Sequence, residues 1–264
     1  MDEFLTRRTA LSMGLAGTVA VASAARASDL PQPRKRKLGA MVFDGFALLD
    51  FRALVAVTVK LFPDKGAAFA KAWTTRLFEL SWIETSAGRY SGFAKLADAA
   101  LRQVARTQDI AIDAAQRAEI VGMFGTLPVW PDVGDVLESL RRADIRLAFL
   151  SNLEERDLLA NMRGNGIAGL MDPPLSTNRA GAFKPSPRAY AMAPAYYHLP
   201  AAHIGFVAFG GWDALGAKWF GFPTAWANRL GAAAETLDPA PDVTGSGLSV
   251  ASELALRSTA VPSA

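Results

Sequence analysis

The stretch KLGAMVFDGF, Lys37 to Phe46, decides the fold. After its first residue it is apolar up to Phe43, and it stops at Asp44. A short apolar run without polar alternation reads as a strand buried on both faces, as the strands of parallel sheets are. Two later stretches repeat the pattern: residues 145–150 (IRLAFL) end at Ser151-Asn152, and residues 204–208 (IGFVA) lead into Gly210-Gly211. A helix is expected over about 133–142 before the second run and another over about 187–197 before the third. This alternation predicts an α/β fold with a doubly wound parallel sheet. Such sheets bind ligands beyond the carboxyl ends of their strands. Asp44, Ser151-Asn152 and the loop from Gly210 to Asp213 all fall at such ends.

Between residues 51 and 129 the strand pattern is absent. Residues 67–78, 90–105 and 112–123 have helical spacing instead, so this segment is expected to be a helical insertion, a cap subdomain able to cover the site. Residues 38–50 and 130–257 then form the α/β core. Residues 238–247, rich in Pro, Gly and Asp, predict a loop, and residues 249–257 a last helix before a tail at 258–264. A chain of 264 residues suits a core with one inserted subdomain.

Composition narrows the chemistry. Cys is absent and His occurs only at 198 and 203, which removes thiolate zinc sites, Cys nucleophiles and multi-histidine centres. The net charge of +3 is concentrated at the start: seven basic residues face three acids up to Lys37, leaving −1 for the remainder. The body of the chain therefore offers no footprint for nucleic acid. Arg7-Arg8, an uncharged stretch from Thr9 to Ala25 and Ala25-Arg26-Ala27 form a signal-peptide pattern. The arginine pair is similar to the twin-arginine export signal. The expectation is a leader at 1–27, a basic linker at 28–37, and a periplasmic or otherwise exported protein without stable membrane insertion.

An Asp after a strand is ordinarily a helix cap or turn residue. Placed beyond a buried strand, though, Asp44 can be held by loop amides and attack carbon or phosphorus to form an ester. Three other segments accompany it: Ser151-Asn152; Phe183-Lys184-Pro185 with Tyr190; and Gly210-Gly211-Trp212-Asp213-Ala214-Leu215-Gly216-Ala217. In this order they resemble the haloacid dehalogenase superfamily. Trp82-Ile83, the phrase Gly88-Arg89-Tyr90-Ser91-Gly92-Phe93 and the continuation Lys218 to Thr224 resemble its type II 2-haloacid dehalogenase branch. The resemblance implies that Asp44 is the nucleophile, that Lys184 neutralises charge near the substrate carboxylate, and that Asp213 positions Lys184 and helps activate water. It implies that Ser151 and Asn152 bind the substrate carboxylate, that Tyr190 belongs to the site, and that Phe46, Phe93 and Trp212 line an apolar pocket.

The resemblance further implies an enzyme of the (S)-2-haloacid dehalogenase type, converting a short 2-haloalkanoic acid to a 2-hydroxy acid without cofactor or metal. The phosphatases of the superfamily carry an acid where this chain has Phe46 and a metal-binding acid where it has Phe209; neither Phe can transfer a proton or ligate a hard cation. The chain departs from the branch at Leu48 (a threonine there), Thr74 (an arginine) and Ala208 and Gly210 (a serine and an asparagine). Arg76 lies two positions beyond Thr74, about 200° around a helix, and is expected to point away from the site. A hydrolase of another small carboxylate-bearing substrate and a catalytically degenerate binding protein are the alternatives. The expected partner is a small molecule; a homodimer is compatible with the sequence.

Overall fold

The structure is a computed structural model that describes residues 37–259; the expected leader, the linker up to Arg36 and residues 260–264 lie outside the described residues. Six parallel strands make one sheet: β1 (Ala40–Phe43), β2 (Arg146–Ser151), β3 (Leu175–Ser176), β4 (Ile204–Ala208), β5 (Thr224–Ala227) and β6 (Val243–Gly245), in the order β3-β2-β1-β4-β5-β6. β1 lies at the centre, with Ala40 beside both Arg146 and Ile204. All four of its residues are buried, as the apolar run requires. Met41 and Phe43 join the core on one face and Ala40 and Val42 that on the other. A buried side chain such as Val42 or Phe43 contributes about 1.5–3 kcal/mol.

The helices are α1 (Gly45–Leu48), α2 (Arg52–Leu61), α3 (Gly66–Ser86), α4 (Phe93–Thr107), α5 (Ala114–Gly122), α6 (Val133–Arg142), α7 (Glu155–Gly164), α8 (Pro187–Tyr190), α9 (Met192–Tyr197), α10 (Gly211–Phe220) and α11 (Ser249–Thr259). Leu137 and Leu140 of α6 and Val250 and Leu254 of α11 pack on one sheet face, and Ala193 of α9 and Ala214 and Ala217 of α10 on the other. α6 carries Asp135 in its first turn and Arg141 and Arg142 in its last, complementing its dipole.

The chain from Leu49 to Val129 is helical throughout its regular structure and leaves and rejoins the core side by side. Leu49 and Val129 form an antiparallel bridge, and Asp50 N donates to Pro128 O at 2.7 Å. α4 buries Phe93, Leu96, Ala97, Ala100, Leu101 and Val104, an i, i+3, i+4, i+7 stripe. Trp73 of α3 ties to it through Nε1, which donates to Ala97 O at 3.0 Å. This layer meets the carboxyl ends of the sheet: Thr85 Oγ1 accepts from Phe183 N at 3.0 Å, and Tyr90 stacks on Phe183 at 4.4 Å between centroids.

Three readings need correction. The segment 238–247 is not wholly loop, because Val243 is buried and β6 pairs with β5 at the sheet edge. The helix expected over 187–197 is two helices that meet at Ala191. The insertion helix expected over 67–78 is α3, which runs to Ser86 and so adds two turns that carry Trp82 toward the site; α2, which precedes it, is not among the expected helices.

Candidate active site

Lys184 is the centre of the site. Its side chain is fully buried, and Nζ donates to Asp44 Oδ1 and to Asp213 Oδ2, each at 2.7 Å. The ammonium also lies over the Phe206 ring, 5.2 Å from its centroid, within cation–π range. The backbone sets this position: Lys184 N donates to Asn152 Oδ1 at 3.0 Å, and Ser186 caps α8, with Pro187 in its first turn.

Asp44 stands where β1 ends. Its N–H donates to Val207 O at 2.9 Å, and its Oδ2 accepts from Phe46 N at 3.0 Å, so the carboxylate is also the N-cap of α1. Each oxygen therefore has one donor and a lone pair to spare, and the side chain keeps 15% exposure. Gly45 is required here, because a Cβ on it would lie 2.7 Å from Ser151 Oγ. Asp213 sits in the first turn of α10, with Oδ1 accepting from the Tyr190 hydroxyl at 2.7 Å. That contact depends on Gly216, where a Cβ would meet the Tyr190 oxygen at 2.6 Å.

Burial pushes the Asp213 carboxyl up to about 6, with the neighbouring Asp44 acting in the same direction against Lys184 and Tyr190. Burial disfavours the Lys184 ammonium, but Asp213 and Asp44 outweigh it and hold its pKa above the ordinary lysine value. The Tyr190 phenol is pushed well up by burial and by the Asp213 charge, so it stays a donor. The Lys184 ammonium thus lies between the carboxyl groups of Asp213 and Asp44, 2.7 Å from each.

Ser151 and Asn152 are buried beside this centre but do not hydrogen-bond Asp44. Ser151 Oγ accepts from Leu153 N at 3.2 Å. Asn152 Oδ1 is held by Lys184 N and by Thr177 Oγ1, at 3.4 Å, while its buried Nδ2 has no partner in the protein. An unpaired buried donor costs about 1–3 kcal/mol, an amount recovered when an anionic ligand accepts from it.

Two aromatic trios complete the surroundings. Phe46, Phe51 and Phe209 meet edge-on at 5.2–6.1 Å, and Trp212 packs against Phe78 and Trp82 at 5.4 and 5.5 Å. Phe46 and Trp212 are half-buried, whereas Phe93 is 1% exposed and packs behind Phe78 and Phe183. Phe51 and Phe78 escaped the sequence reading, and Trp82, which carries part of the resemblance, was given no place in the site; the i, i+4 spacing of Phe78 and Trp82 on one helix was the available signal. Phe209 offers no ligand to a cation, and no group of three or more His, Cys, Asp or Glu suited to a metal occurs among the described residues. Thr74 is turned to its own helix, bonding Ala70 O at 2.9 Å, and Arg76 bonds Gln103 and Glu79, each at 2.8 Å, outside the site.

A partly exposed carboxylate, a buried ammonium and a second carboxylate inside an aromatic wall can form a covalent ester and then hydrolyse it. This constellation at the carboxyl ends of a doubly wound sheet agrees with the sequence profile of the haloacid dehalogenase-like hydrolases, which matches residues 41–221, and the chain belongs to that family. It is 31% identical over 195 residues to an (S)-2-haloacid dehalogenase of Pseudomonas sp. (strain YL), a match covering 74% of this chain and 84% of the relative. Among solved structures, an L-2-haloacid dehalogenase superposes with a TM-score of 0.79 and 34% identity, covering 84% of this chain and 99% of that one. The L-2-haloacid dehalogenase of Xanthobacter autotrophicus with chloropropionic acid covalently bound gives 0.77 and 26%, covering 84% and 100%.

Proposed function

We propose that this chain is a hydrolytic dehalogenase of short (S)-2-haloalkanoic acids. The observation that carries the reading is the Lys184 ammonium shared by Asp44 and Asp213 at 2.7 Å each. An Asp44 oxygen attacks C2 from the side opposite the halogen; the C–halogen bond breaks and halide leaves, giving an ester. Asn152 Nδ2, which has no partner in the protein, and the Ser151 hydroxyl are the donors we assign to the substrate carboxylate. Water then adds to the acyl carbon of the ester. One water proton passes to Asp213; as the ester C–O bond breaks, the other passes from the new carboxyl to the departing alkoxide, and Asp44 is regenerated as the 2-hydroxy acid leaves. The net reaction consumes one water and releases one halide and one proton. The names of the relatives above support this substrate class, and a covalently occupied relative supports an ester route.

The test is halide release from a panel of 2-haloacids of both configurations, with Asp44→Asn beside the wild type. Release confined to the wild type and to the (S) series supports the reading; release by Asp44→Asn contradicts the covalent route. A second reading, hydrolysis of another small carboxylate-bearing electrophile, is favoured by one observation: where the branch has an arginine this chain has Thr74, whose hydroxyl is turned to its own helix and bonds Ala70 O at 2.9 Å. Turnover of such a compound in the absence of any halide release would select it. We also propose export of the chain, supported by Arg7-Arg8 and Ala25-Arg26-Ala27. A product secreted with its terminus near Ser28 is expected, and a cytoplasmic product still carrying Met1 contradicts it. Whether two copies associate is decided by sedimentation.

A further inference from the structure

α1 has four residues and begins at the proposed nucleophile, so its carbonyls have almost no partners within the helix. Gly45 O is met by Leu49 N at 2.9 Å. The other three are met from far along the chain. Trp130 Nε1 donates to Phe46 O, and to Leu49 O just beyond, at 3.1 Å each. Trp130 N donates to Leu48 O at 3.0 Å. Arg229 donates to Ala47 O through Nε at 3.2 Å and Nη2 at 3.0 Å.

Arg229 and Trp130 act as one unit. The guanidinium lies 4.6 Å from the indole centroid, and Arg52, at the start of the helical layer, lies 4.5 Å from the same ring. Asp132 grips Arg229 at 3.2 and 2.8 Å and also accepts from Leu248 N at 2.8 Å. The Arg229 side chain is only 5% exposed. Phe46 ties this unit to the chemistry: its N–H holds Asp44 Oδ2, while its carbonyl is held by Trp130. A shift of the α1 turn therefore moves the donor that aims the carboxylate.

We propose that Arg229 and Trp130 are positioning residues, clamping the α1 turn so that Asp44 is held at the angle its attack requires. The inference rests on Asp44 being the nucleophile assigned above. Neither residue touches Asp44, so their loss acts through geometry. A misplacement near 1 Å at a reacting group costs about 10²-fold in rate.

The experiment pairs kinetics with hydrogen exchange on the full chain. Arg229→Ala is expected to lower kcat for halide release by about 10²-fold, with KM within about twofold. Added guanidinium, at millimolar concentration, restores part of the rate by filling the vacated pocket. Amides of 45–49 exchange faster while those of β1 and β4 keep their protection. Trp130→Phe, which keeps a ring and removes only the indole N–H, shows the same pattern at smaller amplitude. Unchanged kcat and unchanged exchange at 45–49 overturn the proposal. So does a loss that guanidinium does not relieve and that comes with equal loosening of β1 and β4. If the wild type releases no halide yet Arg229→Ala loosens 45–49 selectively, the clamp stands and the assigned activity falls.

Discussion

Replacing Lys184 by Met removes the charge from the centre of the site while keeping most of its volume. Asp44 Oδ1 and Asp213 Oδ2 each lie 2.7 Å from Nζ, so these oxygens are at most about 5.4 Å apart, and Asp213 is 1% exposed. Without the ammonium, two carboxylates face each other and one is buried away from bulk solvent. Breaking a buried pair by removing one partner costs about 3–5 kcal/mol, which for a domain of this size lowers Tm by roughly 6–20 °C. Asp213 then takes up a proton to escape the repulsion, and it can no longer accept one from water. The rate falls by at least about 10³-fold, the upper end for losing one preorganised electrostatic group. The double variant Lys184→Met/Asp213→Asn removes the orphaned charge and recovers most of the stability, but none of the activity. Thermal melting and halide release read both quantities. A single variant that melts with the wild type, or a double variant no more stable than the single, refutes the reasoning.

Raised to about 6 by burial, the Asp213 carboxyl sets the acid limb: kcat falls about tenfold per pH unit below that value in a pH–rate profile. The sign for stability is opposite, because a folded value above the ordinary 3.8 adds stability that is full below 3.8 and lost as pH rises through 6; the acid loss of rate is thus not unfolding driven by this group. Arg76→Ala lowers kcat/KM by less than tenfold, about 1.4 kcal/mol, since its partners are Gln103 and Glu79; a far larger loss with the fold intact places Arg76 in the reaction. Chelation of divalent ions by EDTA leaves halide release unchanged, given Phe46 and Phe209 at the proton-transfer and metal positions; rescue of a chelated enzyme by Mg²⁺ contradicts this.

The sequence shows clearly what depends on unbroken local pattern. β1, β2 and β4 are central strands whose apolar runs are continuous, and their ends carry Asp44, Ser151-Asn152 and the Gly210–Asp213 loop. β3 and β6 are edge strands of two and three residues, too short for any periodicity, and β6 lies in a Pro- and Gly-rich segment. The site triad was legible because each member sits in a distinctive phrase at a strand or helix end. The aromatic wall was legible only in part, since Phe51 and Phe78 look like any core residue until α3 is seen to reach Trp212. Trp130 and Arg229 were not legible at all. Their link to Asp44 runs through backbone carbonyls of α1, and a carbonyl leaves no mark in the side-chain pattern. The placement of Arg76 away from the site followed from helix geometry alone.

The central claim is that Asp44 forms an ester that water opens at its acyl carbon. That route has a consequence for oxygen: the hydroxyl of the first product molecule comes from the Asp44 carboxylate, and the water oxygen enters the protein. A single turnover with enzyme in excess, run in ¹⁸O-labelled water and read by mass spectrometry of product and of the peptide containing Asp44, measures this directly. The account predicts an unlabelled 2-hydroxy acid and one ¹⁸O in Asp44. Label in the first-turnover product, with none in Asp44, contradicts it and means that water attacks C2 directly.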